Sequence, residues 1–499
     1  MTRLACLHVS EFLLAAALRV EPELYDSAYV ITAGRGPRAT VVAASAAAAR
    51  HGITPGMTTA QAAGLAARLA IRPASPDAAR AAQAALCDVA TSCSPRIEDA
   101  GGGTVYLDLT GLSALFASEA QLASVLAQRA LQLGLAAHVG VASSKTAAYL
   151  AARAGGGVAV IPAGEEWHFL APVPLAWLGP SRELAGTLHR WGVHTIGDLA
   201  ALPTHAIGAR VGPEGVQLIR RARGEDDHPL VPRALPLQFE EGIELEYGIE
   251  TLEPLLFVLR GVLDRLTTRL ALRGLVCGDL RLSLGLATRG RDERTIAVAA
   301  PSNDSKSLLA LARLQLDAHP PAAAIEAVRA SAVPERLRPA QLDLFRPRGP
   351  APARLAVTMA RLTAICGADR VGAPAVADSH RPDAFGMAPF APAEVAPQQR
   401  TDHGHAAQRV EAVPLAVRAL RPPHAVEVFC ERDRPEFVRG DAFAGRIVHA
   451  AGPWRVYGDW WTDGPCTRDY YDAQLSDGCV YRLYCDLTTQ GWFVDGVYD

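Results

Sequence analysis

The stretch SPRIEDAGGGTVYLDL, residues 94–109, contains two strand-like runs separated by three glycines. Residues 104–109 are rich in β-branched, aromatic and aliphatic side chains, which favour a pleated, half-buried strand. Gly101, Gly102 and Gly103 can adopt the backbone angles of a tight turn at little cost. The pattern therefore predicts an antiparallel hairpin.

Strands and helices alternate on both sides of this hairpin. Residues 4–9 and 138–142 are predicted strands, and each is followed by a helix, at 11–19 and 144–154. A second hairpin is predicted at 30–44, because a Gly/Pro-rich turn separates two apolar runs there. The remaining predicted helices lie at 45–50, from Thr58 or Thr59 onward, at 77–93 and at 119–133. These elements indicate an α/β region.

Four phrases of this region, taken in order, resemble the Y-family DNA polymerases, the lesion-bypass class. They look like the fingers segment, the palm hairpin, the next palm strand with its helix, and the helix-hairpin-helix of the thumb. The phrases are AARHGITPGMTTAQ from Ala48, SPRIEDAGGGTVYLDLTGL from Ser94, VGVASSKTAAYLAA from Val139 and LHRWGVHTIGDLAALP from Leu188. The order strand, helix, strand, strand, helix, strand over 237–336 is similar to the little finger of the same family.

The resemblance implies an α/β (α+β), multi-domain fold of palm, fingers, thumb and little finger, followed by a C-terminal extension. A chain of 499 residues has room for several such domains. The expected boundaries are 1–10 palm, 11–75 fingers, 76–165 palm, 166–232 thumb, 237–336 little finger, 339–350 clamp-binding motif and linker, 351–372 helical segment, 373–410 disordered linker and 411–499 partner-binding β module.

Catalysis in this family uses two divalent cations held by carboxylates, one from the first strand and two from the palm hairpin. The resemblance puts Val9, Gly103 and Thr104 at those three positions. None of them offers a carboxylate for a hard cation, so we expect no metal, no cofactor and no polymerase activity. Lys145 matches the palm lysine that approaches the triphosphate, and on that basis we count it among the DNA-binding residues.

Two further positions indicate that the nucleotide-binding site has been lost. Family fingers offer a Tyr and an Arg to the triphosphate, where this chain has Ala46 and Ala49. An active lesion-bypass polymerase with unusual metal ligands is the alternative. Its replacement carboxylates would come from Glu11, Glu98, Asp99 and Asp108.

The phrase from Leu188 also has a physical interpretation of its own. A tight turn between two helices presents backbone N–H groups that can hold a DNA phosphate without reading its sequence. The predicted DNA-binding residues of this turn are Gly192, Val193, His194, Thr195, Ile196 and Gly197. A plain helical corner is the alternative, and the arginines at 210, 220, 221 and 223 fit either a DNA surface or a solvated helix face.

A short apolar motif, Gln341-Leu342-Asp343-Leu344-Phe345, follows the α/β region between proline-containing flanks. Proline disfavours helix around it, so the side chains of this pentapeptide are available to enter a partner's pocket. The motif resembles the bacterial sliding-clamp-binding pentapeptide. An ordinary linker with a few buried leucines is the alternative.

The C-terminal region changes character twice. Residues 373–408 are rich in Pro, Ala and His and lack apolar periodicity, which predicts a disordered linker. Short aromatic runs separated by Gly/Asp turns then predict a small antiparallel β module. Its exposed rings are candidates for partner binding, and we name Trp454, Trp460, Trp461 and Trp492.

Composition and charge limit the kinds of partner and binding site that we expect. The formal net charge is −3, so any DNA-binding surface is local rather than spread over the whole chain. No apolar run is long enough to span a bilayer, which excludes a membrane partner. The nine cysteines show no paired CxxC spacing, so neither zinc nor a disulfide framework is indicated, and a cytoplasmic location is the simplest expectation.

The layout as a whole resembles the ImuB group of pseudo-polymerases from bacterial damage-induced mutagenesis systems. The resemblance implies a role in translesion synthesis and four partners: primer-template DNA, the β sliding clamp, an error-prone C-family polymerase and the RecA-like accessory protein ImuA. We therefore expect a non-catalytic adaptor. The alternatives are an active lesion-bypass polymerase and a DNA-binding structural protein without a clamp link.

Overall fold

The computed structural model describes residues 3–225, 228–232, 236–336, 370–379, 381–388, 416–432, 434–459, 461 and 465–498, with residues 355, 358–359, 361–363 and 366–367. The pentapeptide 341–345, Trp460 and half of the predicted helical segment 351–372 lie outside these residues. The chain divides into two units, Met1–Ala364 and Ile365–Asp499.

The first part of the N-terminal unit alternates strands and helices. Its elements are β1 Leu4–His8, α1 Phe12–Val20, β2 Tyr29–Thr32, β3 Val41–Ala44, α2 Ala46–Arg50, α3 Thr59–Leu65, β4 Ala70–Pro73, α4 Pro76–Thr91, β5 Ile97–Gly101, β6 Thr104–Asp108, α5 Glu119–Gln132, β7 His138–Ala142, α6 Lys145–Arg153 and β8 Val158–Val160. The hairpin predicted at 94–109 is confirmed, since β5 pairs with β6 in antiparallel fashion. The short strands β4 and β8 were not predicted.

Two sheets organise this part. The larger has the order β5-β6-β1-β7-β8, and the smaller has the order β3-β2-β4. Helices α4 and α5 cover one face of the larger sheet, where Leu7, Val105 and Val139 join a common apolar core. Helix α6 covers the other face, where Cys6 is fully buried. Strand β1 therefore lies at the centre, buried on both sides.

Local sequence signals determine where these helices begin. The hydroxyl of Ser75 accepts a hydrogen bond from the Ala78 N–H, and Pro76 follows as the first helical residue of α4. Thr58 and Gln61 form a reciprocal capping box at the start of α3. These N-cap interactions satisfy backbone donors that a helix end leaves unpaired.

A short helical segment follows, with α7 Glu166–Leu170, α8 Arg182–Arg190, α9 Ile196–Ala200 and α10 Thr204–Ala222. Its apolar side chains share a core with α6. The tight connection between α8 and α9 contains Gly192, whose φ of 77° suits glycine.

The rest of the described N-terminal unit is a four-stranded sheet with two helices. Its elements are β9 Phe239–Ile249, α11 Leu252–Leu272, β10 Leu275–Leu286, β11 Arg291–Ser302, α12 Ser305–Ala318 and β12 Ile325–Arg336. The sheet order is β11-β10-β12-β9, and the helices bury their leucines against one of its faces. This sequence of elements is the one predicted for 237–336.

The C-terminal unit contains two β structures. Its strands are β13 Ala373–Ala375, β14 Gly386–Ala388, β15 Val417–Glu431, β16 Arg434–Arg439, β17 Gly445–Gly458, β18 Cys466–Leu475, β19 Val480–Asp486 and β20 Gly491–Tyr498. Strands β15–β20 close into a six-stranded barrel. The prediction of a disordered linker at 373–410 is wrong for its first part, because β13 and β14 pair as an antiparallel ladder there; the backbone hydrogen bonds of that ladder order a segment without apolar periodicity.

The predicted fold class, a mixed α/β multi-domain chain with a C-terminal β-rich region, is confirmed by these elements. The predicted domain boundaries stay predictions. Within the described part of the chain, no helix is both long and apolar enough to cross a membrane.

Candidate functional site

The structure brings the three positions expected to hold metal ligands together at one end of the central sheet. The Val9 N–H donates to the Gly103 carbonyl oxygen at 2.9 Å, just beyond the last pair of the β1–β6 ladder. In that last pair, His8 Nδ1 and Thr104 Oγ1 are 3.1 Å apart. Burial, with Arg153 and His138 nearby, lowers the pKa of His8, so this imidazole is neutral at pH 7.

The space in which a carboxylate at position 103 would lie is filled by an aromatic ring. A Cβ added to Gly103 would be 2.7 Å from Cδ2 of Phe12 and 3.0 Å from the Val9 carbonyl oxygen. Gly103 also has a φ of +80°, which L-residues with side chains rarely adopt. Any larger residue at 103 therefore needs both a strained backbone and a displaced ring.

Two of the four carboxylates considered as replacement ligands, Glu98 and Asp108, have other partners. Glu98 Oε2 accepts from Lys145 Nζ at 2.6 Å. The buried Asp108 accepts from the hydroxyl of Thr110 at 2.6 Å and pairs with Arg96 at 2.9 Å. No group of three or more His, Cys, Asp or Glu side chains among the described residues could hold a metal ion. Glu98 and Asp108 are therefore each paired with a cation inside the chain.

Lys145, the predicted triphosphate contact, is held within the same region. Its ammonium group is bonded to Glu98 and lies 5.5 Å from the centre of the Tyr106 ring. Its side chain is only 11% exposed. An approaching phosphate would therefore have to displace Glu98 before it could pair with this cation.

The turn at 192–197 differs from the expected phosphate cradle. The N–H groups of His194 and Thr195 both donate to Asp198 Oδ2, at 3.1 and 2.9 Å. These bonds lower the pKa of Asp198, and Thr195 in turn caps helix α9. The other four donate to backbone carbonyls: Gly192 to His189, Val193 to Leu188, Ile196 to Val173 and Gly197 to Ala171.

All six N–H groups of this turn thus have acceptors inside the chain. The expectation that they are free to hold a phosphate is wrong for this structure, because capping and packing of the two helices use them first. Assignment of a DNA contact to these residues stays a prediction. Arg223 is also engaged, since it bonds the carbonyl oxygens of Ala200 and Leu202.

The predicted partner-binding tryptophans have different environments. Trp454 is 39% exposed and Trp461 is 51% exposed. Trp492 packs against Tyr471, with the two ring centres 5.4 Å apart, at the edge of the barrel core. Two exposed phenylalanines that the sequence analysis did not select, Phe429 and Phe437, are neighbours on β15 and β16.

Comparisons with known proteins agree with this architecture. Residues 7–153 match the impB/mucB/samB family. Protein ImuB of Caulobacter vibrioides is 27% identical over 444 residues, which is 85% of this chain and 94% of that protein. This chain is a homologue of ImuB.

More distant likenesses are to polymerases. DNA polymerase IV of Dehalococcoides mccartyi is 31% identical over 223 residues, which is 44% of this chain and 57% of that protein. The crystal structure of DinB from Sulfolobus solfataricus aligns with a TM-score of 0.42 at 16% identity, over 67% of this chain and 100% of that one.

Substituting Gly103→Asp in this ImuB homologue should destabilise the N-terminal unit by about 1–3 kcal/mol. The new Cβ meets the Phe12 ring, and the backbone at +80° strains any residue other than glycine. Urea unfolding followed by tryptophan fluorescence measures the loss.

Gly102→Asp is the matched control for this prediction. Gly102 also has a positive φ, of 57°, but a Cβ there meets nothing within 4 Å. The difference between the two variants therefore reports the contact with Phe12. Equal losses in the two variants would contradict the steric argument.

Proposed function

We propose that this ImuB homologue is a non-catalytic, polymerase-shaped adaptor for translesion synthesis and induced mutagenesis. In this role it binds primer-template DNA and the β sliding clamp in the cytoplasm. It recruits an error-prone C-family polymerase, which carries out the synthesis, together with the RecA-like accessory protein ImuA.

One observation is the main support for a non-catalytic role. The strand end where β1 meets the hairpin β5–β6 presents Val9, Gly103 and Thr104, and the Phe12 ring lies where a side chain at 103 would extend. Two-metal catalysis needs carboxylates that converge on both cations. The likeness to ImuB over 85% of the chain supports the same proposal.

The clamp and DNA contacts rest on sequence. The clamp motif is Gln341, Leu342, Asp343, Leu344 and Phe345. The proposed DNA-binding residues are Lys145 and the turn 192–197. Because the N–H groups of that turn are engaged internally, side chains such as Arg190 would have to supply its contacts with phosphate.

The alternative is an active lesion-bypass polymerase. The observation that favours it is the similarity to a protein named DNA polymerase IV, at 31% identity over 223 residues. Under that alternative the chain would add nucleotides with unusual ligands. Its metal ligands would then come from Glu11, Glu98, Asp99 and Asp108.

A single-nucleotide primer-extension assay of the full chain with Mg²⁺ separates the two. We expect no extension above a protein-free control, because the part of the chain that the structure describes offers no cluster of carboxylates to bind the two cations. Extension that disappears in the variants Glu98→Gln or Asp108→Asn would overturn the adaptor proposal and assign those carboxylates to a working site. Extension that persists in both variants, and also in Glu11→Gln and Asp99→Asn, would point to a contaminating polymerase, which repurification of the protein tests.

A further inference from the structure

Two phenylalanines form an exposed pair on the outer surface of the C-terminal barrel. Phe429 on β15 and Phe437 on β16 are directly opposite in the antiparallel register. Their ring centres are 6.2 Å apart, and the side chains are 53% and 40% exposed. Their neighbours Val428 and Val438 point into the barrel core, so the alternation of the strands places both rings outside it.

Cationic side chains adjoin this pair on the same face. Arg446 on β17 is the cross-strand neighbour of Phe437, and it is exposed. Arg439 lies two residues beyond Phe437 and is also exposed, with Glu427 opposite it on β15. On its other side Arg446 faces Ser476, just beyond the end of β18, whose N–H donates to the Arg446 carbonyl oxygen, so among the described residues no carboxylate is its cross-strand neighbour. The face therefore combines two rings with a cation that no cross-strand carboxylate offsets.

This combination fits unpaired bases better than a protein surface. Aromatic side chains and arginine also occur in protein interfaces, but the core of such an interface is depleted in charge overall, whereas here Arg446 lies directly beside Phe437 and the paired Arg439 and Glu427 adjoin it. Exposed aromatic rings on neighbouring strands of a sheet stack on the bases of single strands, and adjacent arginines contact their phosphates. Stacking does not require a particular sequence, since every base has an aromatic face.

We propose that Phe429, Phe437 and Arg446 form a binding site for single-stranded nucleic acid on the barrel. Two successive bases stack on the two rings, and Arg446 pairs with a backbone phosphate beside them. The site lies in the C-terminal unit, apart from the predicted DNA contacts of the polymerase-like unit. It depends neither on clamp binding nor on the absence of catalysis.

Photocrosslinking of the full chain to an oligothymidylate that contains 5-iodouracil tests the site directly. This base crosslinks to aromatic side chains on which it stacks, and mass spectrometry then locates the adduct. We expect adducts on Phe429 or Phe437. Adducts found only elsewhere in the chain would overturn the proposal.

Fluorescence anisotropy with the same strand gives the energetic test. The double variant Phe429→Ala/Phe437→Ala should bind the single strand at least about fivefold more weakly. Arg446→Gln should reduce the slope of log affinity against log salt by about 0.7, the value for one phosphate contact with a single strand. Binding of a duplex of the same sequence should change little in either variant.

Phe257→Ala is the matched control, because it removes a phenylalanine that is 82% exposed from the other unit. It should leave single-strand affinity unchanged.

An unchanged affinity of the double variant would overturn the proposal. If that unchanged variant also lost binding to a protein partner, the face would be assigned to protein recognition. Because crosslinking uses the unmodified chain, the site is tested even if the double variant folds poorly.

Discussion

Replacing Glu241 by alanine should lower the free energy of unfolding of the N-terminal unit by about 3–5 kcal/mol, the usual cost of breaking a buried ion pair. Glu241 is 1% exposed. Its two carboxylate oxygens accept from the two Nη groups of Arg19, each at 2.7 Å. Arg269 adds a third bond at 2.9 Å. Without this carboxylate, the side chain of Arg19 would keep its charge in a site that water does not reach.

The loss should also weaken the contact between parts of the unit that are distant in sequence. Arg19 lies on α1 and Glu241 on β9, while Arg269 on α11 also bonds Asp88 on α4 at 2.8 Å. Arg273 bonds the same aspartate at 2.9 Å. The network thus attaches the four-stranded sheet and its helix α11 to α1 and α4. Hydrogen exchange in α1 should therefore rise in the variant together with exchange in β9.

Glu240→Ala is the control for this prediction, since it removes the same kind of side chain from the neighbouring exposed position. Its effect should stay within about 0.5 kcal/mol. Urea unfolding followed by tryptophan fluorescence measures both variants. A similar, small loss of unfolding free energy in both variants would show that the buried ion pairs of Glu241 contribute little to stability.

The same carboxylate makes the stability of the unit depend on pH. Burial by itself would raise the pKa of Glu241, but the guanidiniums of Arg19, Arg269 and Arg265 outweigh it and lower this pKa below its ordinary value. A lowered pKa in the folded state stabilises the fold above the unfolded pKa, about 4.3 for glutamate. That stabilisation is lost as pH falls below about 4 through the folded pKa. The wild type should therefore lose more stability than Glu241→Gln when unfolding is compared between neutral and acidic pH.

Replacing Gln341, Leu344 and Phe345 together by alanine should weaken clamp binding by about 100-fold or more, since interface anchors contribute about 2 kcal/mol or more each. Leucine and phenylalanine are the apolar anchors of the proposed motif, and the glutamine amide hydrogen-bonds at its other end. Titration calorimetry of the full chain with the β clamp measures the change. Clamp binding of equal strength in the variant would reduce the pentapeptide to a linker.

Asp343→Ala is the control within the same motif. Its side chain occupies the variable position between the two leucines, so its removal should change clamp affinity much less than loss of the anchors. A loss at position 343 as large as that of the triple variant would mean that charge rather than apolar insertion dominates the contact.

The sequence by itself determined the local elements. The β-branched and aromatic residues of 94–109 and the three glycines predicted the hairpin, and Thr58 or Thr59 predicted the start of a helix. These signals are reliable because periodicity and caps act within one element. The sequence also shows that positions 9, 103 and 104 carry Val, Gly and Thr rather than carboxylates. Residue type needs no knowledge of the tertiary structure.

Tertiary structure alone decided which polar groups meet. Arg19 and Glu241 are 222 residues apart in the chain, and nothing in either local sequence indicates the other. The sequence suggested that Lys145 and the N–H groups of His194 and Thr195 were available to bind DNA. In the structure Lys145 pairs with Glu98, and the two N–H groups donate to Asp198. Closure of six strands into a barrel likewise depends on edge pairing between β15 and β20. Sequence patterns specify which face of an element is apolar, whereas packing determines which donor finds which acceptor.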